Sequence, residues 1–426
     1  MTPLQSLKNW LPDLDRRIWI LMAGRLLSQI GNGFVLFYAP IFFVNQVGLS
    51  AAAVGFGIGS QSISGVLGRI VGGSMADSPQ WGRRKTLLFS AAISALADVF
   101  LSFSNNFSMF LIGNLCMGLG IGLYWPATEA VVADLSKLHQ RNEAFALTRL
   151  ADTVGMGVGV IWGGWLIAVT GAYRALFVID GVSFLVFFGI IWLAIDETLE
   201  TVETLDSEQA HHQMLKGWKT ALSDRPLLIY SVVNILFTTY LAFINSALPL
   251  YFSNHVPVQT NGEGFSSTVL SVLFSWYIIL AALCQLPVAR FLNRFRYPQA
   301  LILSAVLWAG GFVLIWLTGT AARGHLAWAA LGLAVMALAT VAYTPAASAL
   351  VAGLAPDAMR GVYLSINSLC WAGGYFIGPI IGGWAMDQAP QIANGFWLVA
   401  ALSVISAILI LRYLDRRLQK TRRLIH

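Results

Sequence analysis

Residues 124–165 read YWPATEAVVADLSKLHQRNEAFALTRLADTVGMGVGVIWGGW, and residues 343–384 read YTPAASALVAGLAPDAMRGVYLSINSLCWAGGYFIGPIIGGW. An offset of 219 lays the first on the second without a gap, matching Tyr124 with Tyr343, Pro126 with Pro345, Arg141 with Arg360, Gly155 with Gly374, Gly159 with Gly378, Gly163 with Gly382 and Trp165 with Trp384. Each copy is an apolar segment, a short polar turn with one Arg, and a segment laddered with glycine. Self-similarity at about half the chain length means duplication, and it sets the frame for every local reading.

The composition says what solvent the two copies live in. The chain has 426 residues, 57% hydrophobic and 11% charged, against about 25% charged in soluble globular domains. A soluble fold is excluded. Apolar runs long enough to cross about 30 Å of hydrocarbon occur twelve times, near 18–45, 51–76, 86–104, 108–134, 143–168, 173–195, 227–253, 266–289, 299–319, 325–353, 361–386 and 392–414. The expected fold is therefore an all-α membrane protein of twelve transmembrane helices in two pseudo-symmetric six-helix bundles. Residues 1–195 form the first bundle, 196–226 a cytoplasmic linker, and 227–426 the second bundle with a basic tail. Residues 1–15 lack the charge-then-apolar order of a signal peptide, so the first span is expected to stay in the mature protein.

Charge placement orients the bundles. With both termini cytoplasmic, the inner segments hold 21 of the 26 Lys and Arg, the outer loops only Arg174 and Arg323, and the spans Arg25, Arg69 and Arg149. That asymmetry is the positive-inside pattern. In this setting the net charge of +6 points to an anionic lipid surface, with no nucleic-acid partner. Cys116, Cys284 and Cys370 stand singly in apolar segments and the six histidines fall in loops or the tail, so neither a metal centre nor an intramembrane haem is expected. No extramembrane domain, nucleophile elbow or metal-ligand pair supports a membrane enzyme or a receptor.

Along the chain, Arg25, Gln29 and Asn32 recur at i, i+4 and i+7 and give the first span one polar face, which in lipid must turn inward. A related pattern returns 209 residues later: Phe34, Pro40, Phe43 and Asn45 match Phe243, Pro249, Phe252 and Asn254. The long inner segment is acidic at first (Asp196, Glu197, Glu200, Glu203, Asp206, Glu208) and then weakly amphipathic around Leu215, Trp218 and Leu222, a linker with an interfacial helix.

Twelve spans, two homologous halves, a long central inner loop and the turn Gly73…Asp77…Gly82-Arg83-Arg84-Lys85 after the second span resemble the major facilitator superfamily. Gly374-Tyr-Phe-Ile-Gly378-Pro379-Ile-Ile-Gly382-Gly383 is similar to the G-x-x-x-G-P-x-x-G-G pattern that drug:proton antiporters of that superfamily carry in their fifth helix; Gly155, Gly159 and Gly163 stand in this chain's own fifth span, with Val160 where the pattern has Pro. The resemblance covers the whole chain. It implies an inner gate of Gly73, Asp77, Gly82, Arg83 and Arg84 with Asp134, the Asp facing a helix N-terminus and an Arg pairing with Asp134. The bland alternative is that these are ordinary inner charges. Four residues, Pro79 among them, separate Asp77 from Gly82, where the family usually has two.

The resemblance also places spans 1, 4, 7 and 10 around a central cavity. Their polar and aromatic residues are Arg25, Gln29, Asn32, Phe34 and Tyr38, then Asn114, Tyr124 and Trp125, then Asn234, Thr238, Tyr240 and Asn245, then Tyr343, with Trp371 and Tyr375 from span 11. Such walls suit a lipophilic or amphipathic solute, while packing is the commoner role of any one aromatic. Arg25 reads either as a cavity cation or as a residue snorkelling to the interface. The glycine motifs (Gly155, Gly159, Gly163, Gly374, Gly378, Pro379, Gly382) imply sliding interfaces between the halves.

Charges at membrane depth are functional candidates. Glu129 and Arg149 flank the turn between spans 4 and 5 symmetrically, as a structural ion pair or as part of a proton-coupling site with Asp152. Asp98 and Asp180 are either satisfied structural acids or coupling groups. Ser348, Ser368 and Trp371 stand at the positions of Glu129, Arg149 and Asp152 in the second copy. The expectation is a monomeric secondary transporter with no bound cofactor, exporting a small lipophilic or amphipathic molecule against the proton gradient. An uncoupled or differently coupled metabolite or lipid carrier is the alternative.

Overall fold

A computed structural model describes residues 14–137, 140–199, 218–257, 264–292, 294–356 and 360–425. His139 and most of the expected linker (200–217), and the side chains of Arg141 and Arg360, lie outside the described set. Helix is the regular structure of the described residues, with no strand among them. In chain order the long elements are α1 (Arg16–Leu36), α2 (Tyr38–Asn45), α3 (Ala51–Ala76), α4 (Gly82–Phe103), α5 (Phe107–Leu135), α6 (Arg141–Thr170), α7 (Tyr173–Ala194), α8 (Arg225–Asn245), α9 (Ala247–Asn254), α10 (Ser267–Leu292), α11 (Tyr297–Thr320), α12 (His325–Leu354), α13 (Arg360–Met386) and α14 (Pro390–Ile425).

The breaks follow from the sequence, and they repeat. Helix α1 gives way to α2 at Phe37, and α8 to α9 at Ser246, again 209 residues apart. In both cases a proline three residues on (Pro40, Pro249) has no N–H to return to the fourth carbonyl before it, so the helix is interrupted. Pro126 and Pro345 sit inside α5 and α12 at the repeat offset of 219. Asn106 caps α5 by accepting from the Met109 amide at 2.9 Å, satisfying one of the open donors of a helix start. Helix α6 ends at Gly171 with φ +65°, a left-handed conformation that glycine adopts without steric cost.

Among the described residues eleven stretches, with α1 and α2 counted together, are long and apolar enough to cross a membrane. Helix α3 has the length, 26 residues, but is not among them; its seven glycines, four serines and Arg69 dilute its hydropathy. Exposed apolar side chains such as Leu67, Ile70, Trp165, Val169 and Leu193 cover the helix surfaces, as expected where the solvent is lipid.

Contacts divide the chain into two compact units. The first holds Met1–Leu36 and Ile63–Val202. In it α1 packs on α6 and α7, and α4 packs on α5 and α7. Ile18, Leu21, Leu87, Ala127, Val131, Val132, Phe187 and Ile191 make its core. The second holds Phe37–Ser62 and Glu203–His426, so α2 and the first turns of α3 group with the second repeat. There α8 packs on α13, and α11 on α12 and α14. Fully buried Trp308 and Trp397 stand with Tyr240, Phe243 and Phe312 in an aromatic core.

The glycine ladders act inside these units. A Cβ on Gly155 would stand 2.9 Å from Gln29 Cβ and one on Gly159 2.9 Å from Gly33 Cα, so α6 lies backbone to backbone on α1. Gly374 meets Thr238, Gly378 meets Ala242 and Gly382 meets Ala247, the last two 2.7 Å from the neighbour's Cβ, which brings α13 equally close to α8 and α9. Small residues permit such approach. The first ladder thus lies on α1, and the second lies on α8 and α9, while its Pro379 and Gly383 also meet Gly55 and Ala51 of α3.

Candidate functional site

The polar stripe of α1 and the one-sided charges of α6 meet inside the first unit. Arg25 is 2% exposed; it does not snorkel. Its Nε donates to Asp152 Oδ1 at 3.0 Å and its Nη2 donates to Asp152 Oδ2, the two-point geometry that only a guanidinium offers a carboxylate. The plane lies over the rings of Tyr124 at 5.4 Å and Trp125 at 5.5 Å from α5. Taking either charge into this position alone is costly, so each requires the other. Next to it Arg149 reaches Glu129 at 3.1 Å and lies 4.6 Å from the Trp125 ring, but this second pair is exposed, at 60% and 48%. Gln29 and Asn32, bonded to each other at 3.2 Å, extend the stripe half-buried.

The expected pairing of Glu129 with Arg149 is thus present, while Asp152, read from its position on Arg149's face, bonds to Arg25 instead. Two residues 127 apart in sequence carry no local signal of contact. The i, i+4, i+7 spacing shows which face of α1 is polar, and nothing in it names the acid across from that face.

In the second unit most of the expected cavity residues are hydrogen-bonded to other groups of the protein. Asn234 accepts from the Tyr230 hydroxyl at 3.2 Å and from the Tyr343 hydroxyl, and donates to Asn367 at 2.9 Å. The Thr238 hydroxyl donates to backbone carbonyls, and Tyr240 and Ser403 hydroxyls lie 2.7 Å apart. All four of Asn234, Thr238, Tyr240 and Tyr343 are buried. In the same way Asn114 returns its amide to Phe110 O, and Phe34 and Tyr38 are core residues. Asn245, Trp371 and Tyr375 remain half-buried, the last two stacked at 5.9 Å.

The turn after α3 gathers around Arg83. Its Nε lies 2.7 Å from Asp134 and its Nη1 3.6 Å from Asp77, and it also donates to Ala76 O at 3.0 Å. Gly82 has φ +72°, and a Cβ there would strike the Glu197 carboxylate, which accepts from the amides of Arg83 and Arg84 at 2.9 and 3.2 Å. A carboxylate at the start of α4 is favoured by the helix dipole. Thr198 donates to Asp134 at 2.9 Å. Glu197 and Thr198 were visible in the sequence only as the acidic start of the linker. Arg84 turns away, donating to Trp192 O and lying over that ring. Gly73 has open space around it.

Asp98 on α4 and Asp180 on α7 are each 2% exposed. Asp98 packs on the backbone beside Asp180, 3.1 Å from where a Gly181 Cβ would stand, and neither of its oxygens has a hydrogen-bond partner. Among the described residues no group of three potential metal ligands occurs.

Comparison with known proteins agrees with this architecture. The profile described as Major Facilitator Superfamily matches residues 21–258 and 242–425. The chain is 25% identical over 380 residues to "Multidrug resistance protein MdtH" of Salmonella arizonae, covering 88% of this chain and 87% of that protein. It is 22% identical over 402 residues to "Na(+), Li(+), K(+)/H(+) antiporter" of Planococcus maritimus, covering 88% and 90%. Among solved structures, the nucleoside transporter NupG superposes with a TM-score of 0.77 at 15% identity, covering 94% of this chain and 99% of that one. A peptide transporter POT with bound alafosfalin gives 0.77 at 14% identity, covering 98% and 99%. These likenesses show the fold.

Proposed function

The chain belongs to the Major Facilitator Superfamily, and from that membership we propose that it exports a lipophilic or amphipathic small molecule in exchange for protons, with Arg25 and Asp152 as the coupling pair. It is a multi-pass transporter of the bacterial inner membrane and not an enzyme. In our reading twelve spans cross that membrane with both termini cytoplasmic, and the protein acts as a monomer without a bound cofactor.

The observation that carries the proposal is the buried two-point bond between Arg25 and Asp152 under Tyr124 and Trp125. An Arg stays charged in any protein environment. A proton delivered to Asp152 therefore leaves a buried guanidinium without its counter-charge, and the conformation that tolerates this differs from the one that favours the pair. Proton binding and solute binding are coupled when both act on that balance. The aromatic faces beside the pair and the half-buried amides of Gln29 and Asn32 suit a solute with a flat apolar body and a few acceptors. The names of the multidrug resistance relatives support this direction. Around Arg83, the contacts with Asp77 and Asp134 support the reading of that turn as an inner gate.

A second reading has its own support. The Planococcus relative is named a cation/proton antiporter, and the buried Asp98, packed beside the backbone next to the buried Asp180, has neither oxygen hydrogen-bonded. On that reading the exchanged solute is an alkali cation. Purified protein in liposomes with an imposed pH gradient separates the two: a panel of aromatic cations and neutral amphiphiles, set beside sodium, lithium and potassium, shows which species moves with the gradient. Movement of every solute at a rate independent of the gradient contradicts both.

A further inference from the structure

We propose that Asp387 is a positioning residue of the transport cycle, a carboxylate latch that holds the start of α3 onto α13 and is released in each turnover. This rests on the transporter reading above but not on the identity of solute or ion. All the contacts below lie within the second unit.

The first four amides of a helix have no acceptor within it. In α3 each has an assigned acceptor. Ala51 N donates to Asp387 Oδ1 at 2.6 Å and Ala52 N to Asp387 Oδ2 at 2.7 Å. Ala53 N donates to the Ser50 hydroxyl at 3.1 Å, and Val54 N to Ser50 O at 3.0 Å. A local cap from Ser50 would have been the ordinary solution. Instead the first two donors are served by a carboxylate 336 and 335 residues away, where the positive end of the helix dipole also favours it.

The surroundings are shaped for this approach. A Cβ on Gly383 would run into Ala51 O, one on Gly55 into Pro379 O, and one on Gly59 would stand 2.7 Å from Phe376 O. Three glycines thus let α3 and α13 meet backbone to backbone on the side Asp387 closes. Beside them Asn45 and Asn254, equivalent residues of the two repeats, bond reciprocally, each amide nitrogen 2.8 Å from the other's oxygen. A residue pairing with its own repeat equivalent is what a two-fold relation produces. His255 Nε2 completes the group, 3.1 Å from Met386 O.

Asp387 itself breaks the symmetry. The repeat offset of 219 puts Ala168 at its place in the first copy, so the latch exists once. The carboxylate and both asparagines are exposed. Charge-assisted bonds in reach of water are weak enough to open repeatedly, which a part that must release in every cycle requires and a permanent staple does not.

The test uses full-length protein in liposomes with Cys116, Cys284 and Cys370 replaced by Ala and a reporter Ala51→Cys, a side chain now 2% exposed. Labelling by a membrane-impermeant maleimide needs neither solute nor gradient, so its outcome is separate from that of the coupling proposal. With Asp387→Ala we expect several-fold faster labelling and a lowered maximal transport rate. Asp387→Glu should restore slow labelling, and Asp387→Asn, with one acceptor oxygen in place of two, should fall between. If Asp387→Ala does not fold, the near-isosteric Asp387→Asn decides. Labelling at the parent rate in the folded variant, or fast labelling with Asp387 intact, overturns the proposal.

Discussion

Arg25 and Asp152, 127 residues apart, share two hydrogen bonds in the interior of the first unit, with the guanidinium 2% exposed. No second bonded charge pair among the described ion pairs is so deeply enclosed; Arg149–Glu129 and Arg296–Asp415 each expose at least one partner widely. A pair in such a place is either inert scaffold or a switch, and the two differ in measurable ways.

Removing one partner strands the other. Asp152→Ala should destabilise the protein by about 3–5 kcal/mol, the usual cost of an unpaired buried charge. The double replacement Arg25→Leu with Asp152→Leu should recover most of that stability and none of the coupled transport. Thermal unfolding in detergent, run beside transport assays on the same samples, checks both halves. Recovery of transport with stability would reduce the pair to scaffold.

Around Arg83 the two acids should not be equal. Asp134 lies at 2.7 Å and is 28% exposed, whereas Asp77 lies at 3.6 Å and is 76% exposed. Asp134→Asn should cost about 1 kcal/mol, the upper end for an ion pair that solvent still reaches. Asp77→Asn should cost under about 1 kcal/mol yet lower transport, with folded protein unchanged. Equal transport by Asp77→Asn and parent would remove Asp77 from the gate.

The glycine contacts give a contrast within one unit. Gly159→Ala forces a methyl to within 2.9 Å of Gly33 Cα, where only backbone movement relieves it, while a Cβ at Gly189 meets nothing within 4 Å. We expect Gly159→Ala to lose about 1–3 kcal/mol and Gly189→Ala to hold or gain up to about 1 kcal/mol. Melting temperatures of the two purified variants decide it.

His255 supplies a pH dependence outside the spans. Burial pushes its pKa below the ordinary histidine value, against a smaller raising effect of the Met386 carbonyl. The unfolded chain then binds a proton that the folded one refuses, so this residue's contribution to stability falls as pH drops through the unfolded value of about 6.5. His255→Gln should flatten the acid side of the melting-temperature profile between about pH 5 and 7. A steeper profile in the variant would contradict the assignment.

The architecture was legible in the sequence because its causes are local or periodic. Apolar length gives the spans, the offsets of 209 and 219 give the repeats, and Pro40 and Pro249 mark breaks that fall at Phe37 and Ser246. Helix α3 shows the limit of apolar length as a signal, since its glycines, serines and Arg69 leave it out of the eleven stretches apolar enough to cross a membrane. The site was legible by residue type and not by partner. Arg25, Asp152, Tyr124 and Trp125 were all singled out, but Asp152 was set beside Arg149, because partners across a bundle leave no trace in spacing. Asn234 and Tyr343 show the converse: a polar residue on the right face satisfies a neighbour as readily as a solute, and only the hydrogen bonds tell which. Asp387 was missed because it ends a helix in a turn, where an Asp is unremarked.

The central claim is that protons act through Asp152. The most direct measurement is proton movement coupled to solute efflux in liposomes for parent, Asp152→Asn and Glu129→Gln, each confirmed as folded. The account predicts that Asp152→Asn abolishes gradient-driven transport while Glu129→Gln, altering an exposed pair, keeps it. Gradient-driven transport that persists in Asp152→Asn would contradict it.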